Sequence, residues 1–366
     1  MPKILHCADI HFDSPLTSNL LPHRAAERVD ELRETFSKII EYAKNADILL
    51  IAGDLFNSAF VSRETITFLV NKFAQIPDTA VFIAAGNHDF LTPSSYYKTV
   101  DFGKNVYIFG EKFEKVEIPT LKTAVFGVSQ SQAHHTETLV RELKVNKDFT
   151  NIMLLHGEVI GTDSSSKFHP ISREFIENSG MNYVALGHVH AHNGINRAGT
   201  TAWSYSGIPE PRGFDEIGDK GFIAGEVTNS AADLQFVKCN KRSYHALELE
   251  MPTDILDIES RANFIVENAL ATGTADDLYK ITIVGEIPPK HPLNLEILTN
   301  RLNSALYFAK ISDETIFEYD YDELAKESGV RGLFVRNMRE RIYATVGEEQ
   351  KVAEMALKYG LKAMEN

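Results

Sequence analysis

The sequence predicts an α/β fold, and three features of it say so. Short apolar runs rich in β-branched residues occupy Lys3–Ala8, Asp47–Ala52, Ala80–Ala85, Asn151–Leu155 and Asn182–Leu186. Runs of that length bounded by Gly or polar residues read as buried parallel strands. Between the first two runs, Ala25, Val29, Leu32, Phe36, Ile39, Ile40 and Ala43 recur at three- and four-residue steps, which makes a βαβ unit. Each run, finally, ends in a carboxylate, imidazole or carboxamide: Asp9 and His11, Asp54, Asn87 and His88, His156, His188 and His190. Ligands bind at the carboxyl edge of an open α/β sheet, so residues far apart in sequence converge there.

In chain order, residues from Asp13 to His23 form a Pro- and Ser-containing loop before the first helix. After Gly53-Asp54-Leu55-Phe56-Asn57, Ser62 is placed to cap a second helix, with Thr65 a poor capping-box partner. That helix carries Ile66, Phe68, Leu69, Phe73 and Ala74, more apolar surface than one buried face requires. Val106–Phe109 and Ala124–Val128 read as two further strands. His134 and His135 match no motif and read as surface histidines. Arg141, Lys144 and Lys147 recur at three-residue steps on an expected helix, as a solvated face or as phosphate contacts. Thr162–Lys167 is a polar loop following His156, and His169 before Pro170 reads as structural.

The composition changes around Cys239–Ser243. His245–Glu250 alternates as a strand, Ile255–Ala271 reads as a helix, Leu278–Ile287 as a strand, Leu293–Tyr307 as a helix and Ala309–Tyr319 as a strand. This is a smaller α+β unit with no catalytic motif of its own. From Asp322 the chain is helical and charged, and the stretch Gly329–Arg336 is expected to break it into two pieces. Leu333, Phe334, Met338 and Ile342, interleaved with Arg331, Arg336, Arg339 and Arg341, form a basic amphipathic stripe.

Asp, Asn and His donors without a suitable Cys suit borderline-to-hard divalent metals. The set exceeds what one ion needs and fits two, with Asp54 the best candidate to bridge them. Two such ions clamp the attacking and leaving oxygens of an in-line displacement. His88 has Asp89 beside it, and a carboxylate can hold an imidazole protonated and oriented to donate to a leaving oxygen. His192 extends the pattern of His188 and His190, but no more than a supporting role is expected of it.

The totals bound the function. At 366 residues with 43% hydrophobic content, one large domain and a smaller one are expected. No apolar run is long enough to span a membrane and no signal peptide precedes the first strand, so a cytoplasmic protein with no membrane association is expected. Cys7 and Cys239 are too few for a disulfide framework. A net charge of −14 argues against indiscriminate nucleic-acid binding by the bulk surface, while leaving room for a locally basic groove.

The order Asp-x-His, Gly-Asp, Gly-Asn-His-Asp, His-Gly and Gly-His-x-His resembles the calcineurin-like metallophosphoesterases. More narrowly, Leu5–Phe12, Gly53–Phe56, Tyr205–Pro209 and Gly213–Phe222 resemble the SbcD/YhaO-type DNA repair exonuclease subunits, counterparts of the archaeal and eukaryotic double-strand-break repair nuclease. The likeness covers about residues 1–240 well and the rest in outline.

The resemblance implies a two-sheet metallophosphoesterase sandwich over 1–240, an α+β capping domain over 241–321 and a helical tail over 322–366. It implies one metal held by Asp9, His11, Asp54 and His190, and a second by Asp54, Asn87, His156 and His188, with manganese the expected ion and iron, zinc or magnesium open. Asp54 and His88 are the catalytic residues it implies: a metal-activated hydroxide attacks a DNA phosphodiester and His88 assists. Asn57 stands where several of these nucleases carry a His; Asn hydrogen-bonds a phosphate without serving as an acid. Arg212 either grips a phosphate or pairs with Asp215 or Glu216. The partners implied are DNA, an SbcC/YhaN-type coiled-coil ATPase docked on the tail, and a second copy of the chain, joined through the second helix and Thr92–Val100. The competing readings are a phosphodiesterase or phosphatase for a small-molecule or protein substrate, and a non-catalytic DNA-end-binding subunit.

Overall fold

The five apolar runs are strands of two sheets. The computed structural model describes the chain except for residues 17–19, 21, 59, 142, 143, 162, 163, 365 and 366. It divides into two units, Met1–Ser243 and Tyr244–Asn366. The chain enters at β1 (Lys3–Cys7) and crosses through α1 (Pro22–Ala43) to β2 (Ile48–Ala52), then through α2 (Arg63–Phe73) to β3 (Ala80–Ala84). The short helix α3 (Tyr96–Thr99) leads to β4 (Val106–Ile108). There follow β5 (Glu114–Ile118), β6 (Thr123–Gly127) and β7 (Thr150–His156), then a small parallel pair, β8 (Glu158–Ile160) and β9 (Pro170–Ser172). After α4 (Arg173–Asn178) come β10 (Tyr183–Gly187), β11 (Asn196–Ala198) and β12 (Thr201–Tyr205). The unit closes with β13 (Gly221–Val227) and β14 (Ala232–Lys238).

One sheet has the order β14-β13-β1-β2-β3-β4 and the other β11-β12-β10-β7-β6-β5. Strands β1 to β4 run parallel, as do β6, β7, β10 and β12, so the loops that follow them leave by one edge of each sheet. The side-chain alternation explains why these strands are apolar throughout. Leu5, Cys7, Leu49, Ile51, Val81 and Ile83 pack under α1 and α2, against Leu32, Phe36, Ile39, Leu69 and Phe73. Their neighbours Ile4, Ile48, Leu50 and Phe82 face inward and meet Val125, Ile152, Leu154 and Tyr183 of the second sheet. Ile66 and Phe68 of α2 join the first cluster, so core packing accounts for that helix's extra apolar surface. Ser62 does cap α2, accepting from the Thr65 amide at 3.1 Å.

The polar edge strands β5 and β14 carried no apolar run and were not foreseen; both lie at the margin of their sheets. Two other expectations are corrected. Among the described residues, Arg141 and 144–147 form no helix, because Val140 and Val145 turn inward onto the second sheet's outer core and set an irregular path. His135 is buried, not on the surface: its backbone pairs with Lys167 and His169. Of the loop expected over Thr162–Lys167, residues 162 and 163 lie outside the described ones.

The second unit holds a parallel three-stranded sheet of β15 (Tyr244–Glu250), β16 (Leu278–Val284) and, after the short β17 (Glu286–Ile287), β18 (Phe308–Asp313). Helices α5 (Ile258–Thr272) and α6 (Leu295–Ala305) cover it, capped by Asp257 and Asn294. Gly285, at φ +96°, divides the strand expected over Leu278–Ile287. Beyond β19 (Ile316–Phe317) and α7 (Tyr321–Leu324) lie α8 (Val330–Ala344) and α9 (Glu348–Ala363). The break expected over 329–336 lies at 325–329 and ends on Gly329, the N-cap of α8, while 330–336 are helical and the chain turns again at 345–347. Phe334, Val335, Met338 and Ile342 pack with Leu357, Leu361 and Tyr319, whereas Leu333 is 52% exposed. No helix among the described residues is long and apolar enough to cross a membrane.

Candidate metal centre

The loops after β1, β2 and β3 of one sheet meet those after β7 and β10 of the other. The approach is close: a Cβ on Gly187 would stand 1.8 Å from the Ala52 carbonyl oxygen, so only Gly lets the ends of β10 and β2 meet. The loop after β1 rides on the loop after β2 through Asp9 N–H to Gly53 O, His11 N–H to Asp54 O and Phe12 N–H to Leu55 O. Asp9, His11, Asp54 and His188 lie at φ +53°, +51°, +48° and +100°, in or near the left-handed region that non-Gly residues avoid. Such strain persists where surrounding structure over-determines it, as at functional sites.

All seven sequence-predicted ligands come together. His11 and His190 present Nε2 atoms 3.3 Å apart, and His11 Nε2 is 3.8 Å from Asp54 Oδ2. On the other side, His156 Nε2 lies 3.3 Å from the same Asp54 oxygen and 2.9 Å from Asn87 Oδ1, which His188 Nδ1 approaches to 3.1 Å. Asp9 accepts the His188 backbone N–H with both oxygens, at 3.1 and 3.0 Å. Potential ligand atoms of Asp9, His11 and His190, of Asp9, Asp54 and His156, and of His11, Asp54 and His88 cluster closely. Asp9, His11, Asp54 and His156 form a buried floor; Asn87, His188 and His190 are half-buried, and His88 is exposed at the mouth.

The tautomers test whether a cation fits. A carbonyl oxygen only accepts, so His156 Nδ1, 2.9 Å from Ala52 O, carries its proton there. Its Nε2 in the neutral ring is then a bare lone pair aimed at two oxygens, an arrangement stable only with a cation between them. In the metal-free protein a proton fills that place. Burial pushes His156 down, but Asp54's charge and hydrogen bond overrule it and raise the imidazole to about 9. Burial would raise Asp54, yet His156 holds it below the usual carboxylate range. Burial raises Asp9 to about 6 and, with His156 adjacent, lowers His188 to about 4. The donor set and its unscreened lone pairs fit divalent metal ions.

His88 is oriented otherwise than its sequence suggested. Asp89 does not touch it: that carboxylate is buried, accepting from Gly86 N–H at 2.7 Å, Phe56 N–H at 3.1 Å and the Tyr97 hydroxyl. The Asp is consumed in bracing the loop's own backbone. His88 instead points Nδ1 at the Asn57 carbonyl, 3.2 Å away, and donates its amide to Asp54 Oδ1 at 2.9 Å. Asn57 is half-buried beside it. His192 turns away, stacking on Phe236 with ring centroids 4.5 Å apart and placing Nδ1 2.8 Å from Tyr205 O.

Arg212 lies at the site's edge in an ion pair with Glu216, Nη2 to Oε1 3.0 Å, one of the two roles open to it. Glu216 was not foreseen as a site residue. Its Oε1 is 2.7 Å from His190 Nδ1, and nothing in the spacing told which of Asp215 and Glu216 turns inward. The loop bearing Arg212 is anchored by a buried ionic network. Glu210 accepts from Arg28 Nη2 at 2.6 Å, Thr35 Oγ1 at 2.8 Å and Lys241 N–H at 2.7 Å, and Arg28 also pairs with Glu31.

A two-sheet α/β sandwich whose strand ends gather this donor set is that of a calcineurin-like phosphoesterase. The model of that family matches residues 2–192, more than half of the chain, and the chain belongs to it. Its members are phosphoester hydrolases whose fold binds two divalent metal ions. The chain is 29% identical over 254 residues to the uncharacterized metallophosphoesterase YhaO of Bacillus subtilis, covering 64% of this chain and 60% of that protein. It is 26% identical over 272 residues to the DNA double-strand break repair protein Mre11 of Aeropyrum pernix, covering 69% and 64%. Identity to Mre11 of Methanopyrus kandleri is 26% over 243 residues, covering 60% and 51%. The chain thus spans less than two thirds of the length of these relatives.

Proposed function

We propose that this chain is a two-metal phosphodiesterase acting as the nuclease subunit of a DNA repair complex. The observation that carries the reading is the placing of His156 Nε2 3.3 Å from Asp54 Oδ2 and 2.9 Å from Asn87 Oδ1, where the two sheets' strand ends meet. Likeness to two proteins named for DNA double-strand break repair supports the choice of DNA over a small phosphoester. Asp9, His11, Asp54 and His190 would hold one ion, and Asp54, Asn87, His156 and His188 the other, with manganese the expected metal. When bound, two such ions supply Lewis acidity and a water acidic enough to act as nucleophile near neutral pH.

The chain's own groups supply the rest. Asp54 reaches both halves of the donor set with one oxygen. His88, its Nδ1 proton held by the Asn57 carbonyl, presents Nε2 to the mouth, where as the imidazolium it donates its Nε2 proton to the leaving oxygen. Asn57 lines the same mouth. Arg212 contacts phosphate only by relaxing its hold on Glu216. The unit from Tyr244 onward serves as the cap that holds DNA, and the α8–α9 region as the dock for a coiled-coil ATPase of SbcC/YhaN type. A homodimer working in the cytoplasm completes the reading.

The test is manganese-dependent cleavage of end-labelled single- and double-stranded DNA, beside bis-nitrophenyl phosphate hydrolysis, with His88→Ala and Asp54→Ala proteins. DNA cleavage lost in both variants is expected. Diester hydrolysis without DNA cleavage, with and without the ATPase, would move the assignment to a small-substrate phosphodiesterase.

A further inference from the structure

Three charged or titratable groups meet at the site's edge, and two of them compete for one nitrogen of the third. His190 Nδ1 lies 2.7 Å from Glu216 Oε1 and 3.2 Å from Arg212 Nη2. An ionised carboxylate only accepts and a guanidinium only donates, so the two neighbours make opposite demands on that nitrogen. If Nδ1 is protonated it donates to Glu216, and Nε2 turns a bare lone pair toward His11 and the Asp9 carboxylate. If Nδ1 is bare it accepts from Arg212, and Nε2 carries a hydrogen where a metal must sit.

We infer that Glu216 is the positioning residue that fixes His190 in the Nδ1–H form, and that its ion pair with Arg212 aims the carboxylate and draws the guanidinium's hydrogens away from the imidazole. The inference rests on the two-metal reading above. Glu216 is well held for the task. Its Oε2 accepts the Arg212 backbone N–H at 2.7 Å, and its Oε1 accepts Arg212 Nε at 3.3 Å and Nη2 at 3.0 Å. Its side chain is 6% exposed, so water competes little for those oxygens. The loop is pinned from behind, because Arg28 Nη2 binds both Glu210 and the Pro211 carbonyl. From in front, Gly207 lets the chain lie against the His190 loop: it has φ +70°, and a Cβ there would stand 2.8 Å from His190 O. A carboxylate behind a ligating imidazole sets both the ring's tautomer and its basicity.

The arrangement makes a prediction that simple packing does not. Removing Glu216 alone leaves Arg212 Nη2 as a donor at Nδ1, which favours the Nε2–H form. Removing Arg212 as well lifts that bias. The experiment uses the full-length chain stripped of metal, with 15N-labelled histidine. Long-range 1H–15N spectra report the tautomer, and His190 is assigned by its absence from a His190→Gln protein. Wild type is expected to show a protonated Nδ1, Glu216→Ala a protonated Nε2, and Glu216→Ala/Arg212→Ala a mixture. Manganese titration by calorimetry is expected to show about a 10–100-fold loss at one of two sites in Glu216→Ala, typical of losing a ligand's supporting carboxylate. The double variant should recover part of that loss. Glu216→Gln, which keeps an acceptor oxygen and matches the native shape, should stay close to wild type and guards against misfolding of the Ala variant. A wild-type His190 protonated at Nε2, or an unchanged tautomer in Glu216→Ala, overturns the inference. Wild-type protein that binds no manganese sinks the two-metal reading instead, whatever the spectra show.

Discussion

Glu210→Ala is the substitution whose cost the structure fixes best. Glu210 is 2% exposed and receives three short hydrogen bonds, from Arg28, Thr35 and the Lys241 amide. Truncation leaves those donors facing an apolar void, beside an arginine that is 0% exposed. Breaking a buried ion pair by removing one partner costs about 3–5 kcal/mol. Glu31 still neutralises Arg28, so the lower part of that range, about 3–4 kcal/mol, is expected here. For a unit of this size each kcal/mol shifts Tm by about 2–4 °C, giving a drop of roughly 6–16 °C. Differential scanning calorimetry of the metal-free protein measures it, with Glu210→Gln expected between wild type and Ala because one acceptor oxygen remains. A drop below about 2 °C for Glu210→Ala would refute the reasoning, since it would mean that the network contributes no more than a surface pair.

Manganese binding should expel about one proton at pH 7, because His156, raised to about 9, is protonated in the metal-free site; calorimetry in buffers of different ionisation enthalpy counts it. Metal and proton compete, so affinity should climb as pH rises from 7 toward 9 and flatten above, and a flat profile would speak against the proton's place. His6, fully buried against the Tyr183 hydroxyl, is pushed by burial from 6.5 down to about 3. The unfolded chain therefore takes up a proton there that the fold refuses, and stability is whole above pH 6.5 and falls as pH drops toward 3. The loss is about 2 kcal/mol by pH 5, read from urea midpoints, and His6→Gln should flatten that slope. Gly187→Ala drives a methyl into the Ala52 carbonyl; an overpacking cost of about 1–3 kcal/mol and loss of manganese binding are expected, from melting and titration.

What was legible in the sequence was whatever burial and strand geometry dictate locally. The runs around Leu50 and Val184 had to be central strands because they are apolar on both faces, and their ends fall within about two residues of expectation, the usual uncertainty of such boundaries. The candidate ligands were legible because each lies at or within a few residues of such a strand's end. What stayed hidden depends on side-chain direction across long separations. Asp89 follows His88, yet folds back on Gly86 and Phe56, which adjacency cannot convey. Glu216 reaches His190 from 26 residues away, through a loop whose course is set by a buried arginine on α1. His135 was misplaced for the same reason, its burial coming from a bridge to Phe168.

The left-handed backbone at Asp9, His11, Asp54 and His188 bears on how this chain tolerates change. At such positions Gly, and to a lesser degree Asn, relaxes the main chain that an Asp or His must hold under tension. A library selected for heat resistance alone would therefore drift toward Gly at the very residues proposed to hold the metals. Every such gain would come with a dead centre inside a sturdier shell, so directed evolution of this scaffold has to screen for metal retention in the same round as for melting point.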